Sequence, residues 1–196
     1  MKIKHWCVIA SAVSLSACGG GSGNGVTTFF STPDANGNIE TSFENNVQNG
    51  RLIDINGNGF AYEFGSIPEE GFFATAGVVP TTEFGSRPDS GVVTYDGVYE
   101  LYHVTGISED DGMITGSGRR AFGPISLIGN FNQNTLTGTS GDLQIDGTID
   151  GTTLSGTAIF NGVSGSLQGG VDSDKTIGAF HGESSTELFA GGFGAD

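Results

Sequence analysis

The C-terminal stretch of the chain, residues 176–196, reads TIGAFHGESSTELFAGGFGAD. Gly178-Ala179-Phe180 precedes a short polar insert, and Gly191-Gly192-Phe193 follows it. Ser184 and Glu187 have the spacing of a helix capping box. A helix here would nevertheless contain several glycines, and each costs about 1 kcal/mol relative to alanine. The stretch therefore predicts two β-strands joined by a polar turn at ESSTE.

From Arg51 onward, apolar and polar residues alternate with the period of two that is typical of β-strands. The alternating runs are short and are separated by Gly, Asn, Asp and Ser. Four segments repeat an apolar residue, a hydroxyl, a glycine and a second hydroxyl: ITGS, LTGT, LSGT and VSGS. Their irregular spacing argues against a solenoid. About eight strands fit between Ser90 and Asp196, the number that closes a barrel filled by its own side chains. The sequence predicts an all-β fold with an eight-stranded antiparallel barrel.

A small porin-like barrel of the outer membrane is the alternative to this fold. Such a barrel needs tilted strands of about 9 to 11 residues with an apolar outward band. The outward positions predicted here are largely polar, which favours a barrel outside the bilayer. They include Thr94, Asp96, Glu100, Gln144, Asp146 and Asp150.

The N-terminus has the pattern of a bacterial lipoprotein signal. Lys2 and Lys4 precede a short apolar run, which ends in the lipobox LSAC at Cys18. The run is too short to span a bilayer and has the organisation of a secretory signal peptide. The lipobox predicts cleavage before Cys18 and fatty acylation of that cysteine. Several acyl chains anchor a protein stably in a membrane, so we expect a membrane-anchored protein. The usual signal for retention in the inner membrane is an aspartate directly after the lipidated cysteine. Gly19 occupies that position here, which favours a location in the outer membrane.

Composition excludes several classes of function. Cys7 is removed with the signal and Cys18 carries lipid, so no thiol remains for disulfides, metal binding or nucleophilic catalysis. Without Lys2 and Lys4, five basic residues face 22 acidic ones, a net charge of −17. Nucleic acid is therefore not expected as a partner. We predict no catalytic residues and no enzymatic activity, since no nucleophile motif is present.

Two stretches resemble the β-barrel domain of the transferrin-binding protein B family, which are surface lipoproteins of Gram-negative bacteria. RPDSGVVTYDGVYE is similar to the family's opening strand, through Pro88, Ser90, Gly91, Tyr95 and Gly97. The closing Gly-x-Phe-x-Gly and Glu-Leu-x-Gly-x-Phe pattern is matched by a second set: Gly178, Phe180, Gly182, Glu187, Leu188, Gly191 and Phe193. The likeness covers roughly the last 110 residues. Members of the family have two lobes, whereas this chain has room for one, so transferrin itself is doubtful as the ligand.

The resemblance implies a strand-rich handle beside the barrel, outer-membrane anchoring, and display at the cell surface by dedicated export machinery. With it, the chain divides into residues 1–18 as signal, 19–46 as a flexible tether, 47–89 as the handle and 90–196 as the barrel. It further implies binding of a haem- or iron-carrying host protein, and haem itself is a possible cofactor. The alternative is a structural or adhesive surface lipoprotein without a small-molecule ligand.

Candidate ligand contacts follow from residue type. Tyr102 and His103 are residue types that ligate haem iron, although alternation places His103 on the inward face. His181, near the last turn, is predicted to point outward as an exposed histidine. For a protein partner, the basic pair Arg119 and Arg120 and two handle residues are the predicted contacts. The handle residues are Phe72 and Phe73.

Two acidic motifs have simpler interpretations. Asp54, Asn56 and Asn58 match the start of a calcium loop, but Gly65 occupies the position of the bidentate carboxylate, so a hairpin turn is favoured. The cluster at residues 109–111 is predicted to be a solvated turn. No metal site is predicted.

Overall fold

A computed structural model describes residues 25–41, 45–67, 71–111 and 113–196 as an all-β protein. The first four strands are β1 (Val26–Phe30), β2 (Asn45–Ile53), β3 (Gly59–Ile67) and β4 (Gly71–Val78). The other eight are β5 (Val92–Asp110), β6 (Met113–Asn130), β7 (Thr135–Ser140), β8 (Leu143–Asp150), β9 (Thr153–Phe160), β10 (Val163–Val171), β11 (Thr176–Glu183) and β12 (Leu188–Ala195). The described residues include no helix long and apolar enough to cross a membrane.

Strands β5–β12 form the predicted closed barrel, with the spatial order β10-β11-β12-β5-β6-β7-β8-β9. Every neighbouring pair within it is antiparallel. The signal peptide, the lipobox with Cys18 and the first part of the tether lie outside the described residues. The eight-stranded barrel predicted between Ser90 and Asp196 is thus confirmed.

The final hairpin, β11 and β12, explains the repeated Gly-x-Phe pattern. Phe180 lies opposite Gly191, Phe193 opposite Gly178, and Phe189 opposite Gly182. A methyl group placed on Gly178 would lie 2.5 Å from the ring of Phe193, and one on Gly182 would lie 2.5 Å from the ring of Phe189, so these two rings occupy the space above glycines of the neighbouring strand. Aromatic rings and glycines therefore alternate between the two strands on the inner face, which lets large side chains fill a narrow barrel.

The interior of the barrel is a continuous apolar core. Alternating residues of its strands point inward and are buried, while the residues between them on β8 are exposed. This polarity is the reverse of the one a porin-like barrel requires, which is an apolar outside and a polar inside. The largest fully buried side chains in this core are Tyr95, Leu101, Leu127, Phe131, Leu136, Leu143, Ile145, Phe180, Phe189 and Phe193.

Strands β1–β4 form a separate four-stranded sheet, the handle, with the order β1-β4-β3-β2. β1 pairs with β4 in parallel, with Val26 opposite Phe72. The tether predicted for residues 19–46 is therefore wrong over Val26–Phe30, which is an edge strand. The sequence VTTFF is β-branched and aromatic, but its pairing partner lies far along the chain, so local composition alone did not reveal it.

The handle packs against the outer face of barrel strands β11, β12 and β5. Small outward residues on the barrel, among them Ala179, Ala190 and Gly192, leave room for aromatic side chains of β3. Phe60 lies directly over Gly192, where a methyl group would come within 2.4 Å of its ring. Each large apolar side chain buried in this way stabilises the fold by about 1.5–3 kcal/mol. Small residues on one side of the barrel thus fix the position of the handle.

Candidate functional site

His103 lies inside the barrel, as alternation predicts. It is fully buried, and its Nε2 lies 2.9 Å from the Glu187 carboxylate in the β11–β12 turn. Its ring contacts Phe160 edge-on, with centroids 5.1 Å apart, and Nδ1 is 3.5 Å from the side-chain amide of Asn161. Both ring nitrogens therefore have neighbours, and an external ligand would first have to displace Glu187.

Tyr102 points to the opposite face of β5, beneath the handle. Its ring stacks on Phe64 of β3, with centroids 5.1 Å apart and an angle of 18° between the planes. Consecutive residues of a strand face opposite sides of the sheet. Tyr102 and His103 consequently cannot ligate the same haem iron, although their positions in sequence suggested such a pair.

His181 faces outward from the barrel but is covered by β1, so the prediction of an exposed histidine is wrong. Its Nδ1 lies 2.9 Å from the Thr28 hydroxyl, and its ring packs edge-on against Phe30. Burial lowers the pKa of His181 to about 4. Burial also raises the pKa of the nearby Glu183, whose Oε2 is buried and has no hydrogen-bond partner among the described residues. Burial therefore favours the uncharged form of both side chains, although hydrogen bonds with Thr28 of β1 partly oppose this effect at Glu183.

The two phenylalanines predicted as handle contacts belong to the core of the handle. Phe73 is fully buried. Phe72 is half-buried and stacks on Phe64, with ring centroids 5.6 Å apart. Phe72 and Phe73 are adjacent on β4, so they lie on opposite faces of the handle sheet, and each is covered on its own face. The expectation that they are available to a partner is therefore wrong.

Asp54 closes a hairpin turn between β2 and β3. Its carboxylate accepts hydrogen bonds from the backbone N–H of Asn56 and Asn58 and from the Asn58 side chain, all within 2.9 Å. Burial raises the pKa of Asp54, but the hydrogen bonds lower it by more, so the pKa lies below its usual value. No cluster of three or more metal-ligating side chains occurs in the described part of the chain. The turn interpretation is confirmed, and the same geometry recurs at Asp34 in DANGN.

A cavity of about 360 Å³ lies beside this turn, between the handle and the barrel. Apolar side chains such as Leu52 and Ile177 form most of its wall. Its cation, Lys175, donates to Asn58 Oδ1 at 3.0 Å and lies 5.8 Å from the centre of the Phe84 ring. These contacts join the two sheets, so the polar groups of the cavity already serve a structural role.

Arg119 and Arg120 are exposed on β6. Arg120 forms an ion pair with Glu100 on β5, and Glu100 in turn accepts a hydrogen bond of 2.6 Å from the Tyr62 hydroxyl of the handle. The hydrogen bond to Glu100 raises the pKa of Arg120, and burial is the main cause that raises the pKa of Tyr62. Arg120 is thus held in position at the surface, with more than half of its side chain in solvent.

The basic pair belongs to a hairpin that extends beyond the rest of the barrel. β5 and β6 pair along almost their whole length, whereas β7 pairs with β6 only from Ser126 to Asn130. Residues 113–125 of β6, called the open edge below, therefore have a strand neighbour on one side only among the described residues. Of the acidic cluster predicted as a solvated turn, Glu109 and Asp110 instead end β5 and pair with β6, and only Asp111 lies in the turn; all three are exposed.

Phe122 is an exposed aromatic residue beside Arg120 that sequence reasoning did not identify. Its side chain is 75% exposed, and it lies two residues from Arg120 on the same face of β6. On the neighbouring strand β5, Val98 lies opposite Pro124 and is also exposed. Pro124 was the available signal, because proline within a strand indicates a sheet edge. Of the predicted contacts, only Arg119 and Arg120 lie on an accessible surface, together with this aromatic ring.

No protein-family model and no curated protein matches the sequence. Among solved structures, the chain is similar to transferrin-binding protein B from Neisseria meningitidis, with 15% identity and a TM-score of 0.46 over 80% of this chain and 35% of that one. A mutant of transferrin-binding protein B from Actinobacillus pleuropneumoniae gives 10% identity and a TM-score of 0.49 over 80% and 83% of the two chains.

The chain is also similar to the haemoglobin receptor HpuA of Kingella denitrificans, solved in complex with human haemoglobin. The identity is 18% and the TM-score 0.34, over 70% of this chain and 54% of that one. The chain spans only 35–39% of the length of four of the transferrin-binding protein B structures. At these identities the likeness concerns the fold alone.

Proposed function

We propose that this protein is an outer-membrane-anchored surface lipoprotein that binds a haem- or iron-carrying protein through the exposed part of the β5–β6 hairpin. The observation that carries this proposal is the placement of Arg119, Arg120 and Phe122 together on an accessible surface. Arginine and aromatic residues are the types that most often dominate the energy of protein interfaces.

Charge supports a role in recognition for the arginines. The chain without its signal has a net charge of −17 and five basic residues, and two of these are adjacent on β6. A positive patch on an acidic protein attracts an acidic partner at one place, while the acidic surface elsewhere repels that partner. The other predicted contacts are packed between the sheets or inside the barrel, so this surface is favoured over them.

The class of partner is taken from the sequence motifs shared with transferrin-binding protein B. A protein is favoured over free haem, because Tyr102 and His103 face opposite sides of β5 and His103 is bonded to Glu187. Anchoring through acylated Cys18 and display by the export machinery for surface lipoproteins are parts of the same proposal. They are supported by the lipobox and by the polar segment that follows it.

The experiment is a binding measurement on the chain expressed without residues 1–18. Human haemoglobin and transferrin are passed over the immobilised protein, and its absorbance is recorded separately with added haem. We expect one of the two proteins to bind and the double variant Arg119→Glu/Arg120→Glu to lose at least about tenfold in affinity. Arg51→Glu, the same type of substitution at an exposed handle residue with half the change in net charge, is the control and should bind normally.

Three results would count against the proposal. Binding of neither protein would refute the iron-carrier class and leave the structural or adhesive alternative ahead. Binding that the arginine variant does not weaken would refute the site. A Soret shift that is lost in His103→Ala would show that free haem enters the barrel and would refute the preference for a protein partner.

A further inference from the structure

The open edge presents backbone groups that have no strand partner in the described part of the chain. Along a β-strand the N–H and C=O of one residue point to the same side, and successive residues alternate. The Ser140 hydroxyl of β7 donates to the carbonyl of Pro124, so the backbone groups of Pro124 point away from β5. The register between β5 and β6 is continuous from Pro124 back to Gly118. The N–H and C=O groups of Phe122, Arg120 and Gly118 therefore also point away from β5.

The side chains along this edge have an ordered arrangement. Arg119 and Arg120 are consecutive, so their guanidinium groups lie on opposite faces of β6. Phe122 shares the face of Arg120, and on that face the rings of Tyr102 and Phe72 lie over Gly118 and Gly116. An incoming strand would meet Arg119 on one face and, on the other, the Phe122 ring and Arg120, which is paired with Glu100. Opposite charges placed directly across two strands stabilise the pairing.

We propose that an extended, acidic segment of a partner protein adds to the open edge as a further β-strand, with consecutive acidic residues opposite Arg119 and Arg120 and an apolar residue against Phe122. This inference rests on the proposed function in that the partner is a protein bound at this hairpin. Backbone hydrogen bonds supply the affinity in this mode, and side chains at alternate positions supply the specificity.

The charge of the edge selects an acidic segment over a second copy of the chain. Residues 113–125 read MITGSGRRAFGPI and contain two arginines and no acidic residue. Pairing of two such edges would bring arginines of both copies close together. Like charges across a strand pair are destabilising. An acidic strand from another protein has no such penalty.

The test uses peptides, so it does not depend on the identity of the iron carrier. Random peptides of about nine residues, displayed on phage, are selected for binding to the chain lacking residues 1–18. We expect enrichment of adjacent acidic residues within a β-forming sequence. A synthetic copy of the best peptide should bind about 2- to 30-fold tighter than its version with glutamine in place of the acidic pair, a difference that salt reduces.

Amide hydrogen exchange then reports the mode of binding. On addition of the peptide, the N–H groups of Arg120 and Phe122 should slow at least about tenfold. The N–H groups of Arg119 and Ala121 already point to β5 and serve as internal controls. Phe122→Ala should weaken binding, and Phe122→Pro, which also removes an outward N–H, should abolish it. Because the side chain of Phe122 is exposed, both variants should fold, which circular dichroism would check.

The outcomes separate this inference from the proposed function. Binding of an iron carrier that depends on Arg119 and Arg120 without protection of the outward amides would refute strand addition and leave the function standing. Strand addition by acidic peptides without any iron carrier would do the reverse. No selected peptide, peptides without acidic residues, or protection that appears only with self-association of the chain would each overturn the inference.

Discussion

The packing of the handle on the barrel can be tested at two glycines of β12. Gly192 and Gly194 lie on the same strand and the same outward face. A methyl group on Gly192 would lie 2.4 Å from the Phe60 ring and 2.5 Å from the carbonyl oxygen of Gly178, whereas one on Gly194 would lie 3.4 Å from the nearest atom, in Leu52. The same substitution to alanine therefore creates a clash at one site and an ordinary contact at the other.

We expect Gly192→Ala to lower the free energy of unfolding by about 1–3 kcal/mol, the usual cost of overpacking a core. Gly194→Ala should leave it unchanged or raise it by up to about 1 kcal/mol, because alanine restricts the unfolded chain. Thermal unfolding followed by circular dichroism would measure both, at about 2–4 °C in Tm for each kcal/mol in a chain of this size.

A double-mutant cycle identifies the contact responsible. Phe60→Ala removes the ring and should reduce the cost of Gly192→Ala, although the Gly178 carbonyl keeps part of it. A coupling of at least about 0.5 kcal/mol is expected for residues in contact. Equal effects of the two glycine substitutions, or additive effects of Gly192→Ala and Phe60→Ala, would refute the packing of the handle described above.

Three further predictions concern other parts of the chain. His181 has a folded pKa of about 4 against about 6.5 when unfolded, so the folded state binds fewer protons between these values and loses stability as the pH falls. Relative to His181→Gln, the free energy of unfolding of the protein should fall by about 2 kcal/mol from pH 7 to pH 5. Parallel pH profiles of the two proteins would contradict this. Tyr62→Phe removes the hydrogen bond to Glu100 and should cost about 0.5–1.5 kcal/mol in urea unfolding; no change would show that the bond does not contribute to attachment of the handle. Cys18→Ser in the full-length chain should abolish labelling with a radioactive fatty acid and release the protein from the membrane fraction, and equal labelling of both proteins would disprove acylation there.

The barrel could be predicted because its signals are local. Alternation of apolar and polar residues identifies the inward face of each strand, and the glycines opposite Phe180 and Phe193 indicate strands that pack rings across a hairpin. Each of these patterns spans only a few residues of the chain. The inward position of His103 follows from the same alternation.

The covering of the outward face could not be predicted in this way. Alternation places Tyr102 and His181 on the outer face but does not reveal that β3 and β1 lie over them. That arrangement depends on the parallel pairing of β1 with β4, between residues as distant as Val26 and Phe72. Such non-local contacts leave no periodic signal in either segment, so residues expected in solvent are instead packed between the two sheets.

The open edge results from a difference in strand length that a local pattern does not reveal. β6 has 18 residues and β7 has 6, so the barrel closes along only part of β6. Exposed edges promote aggregation, and proteins protect them with charged side chains, proline and short strands. Arg119, Arg120 and Pro124 give the open edge this protection.

The same residues can protect the edge and select a partner, because both effects depend on the sign of the charge. Two copies of the open edge would place Arg119 and Arg120 of one chain near those of the other, which disfavours self-pairing. A segment with acidic residues at the facing positions removes this repulsion and replaces it with attraction. Specificity is a difference between the free energies of binding to two partners, and a repulsive element contributes to it as much as an attractive one. A neutral edge with Phe122 alone would therefore bind more partners, including a second copy of the chain.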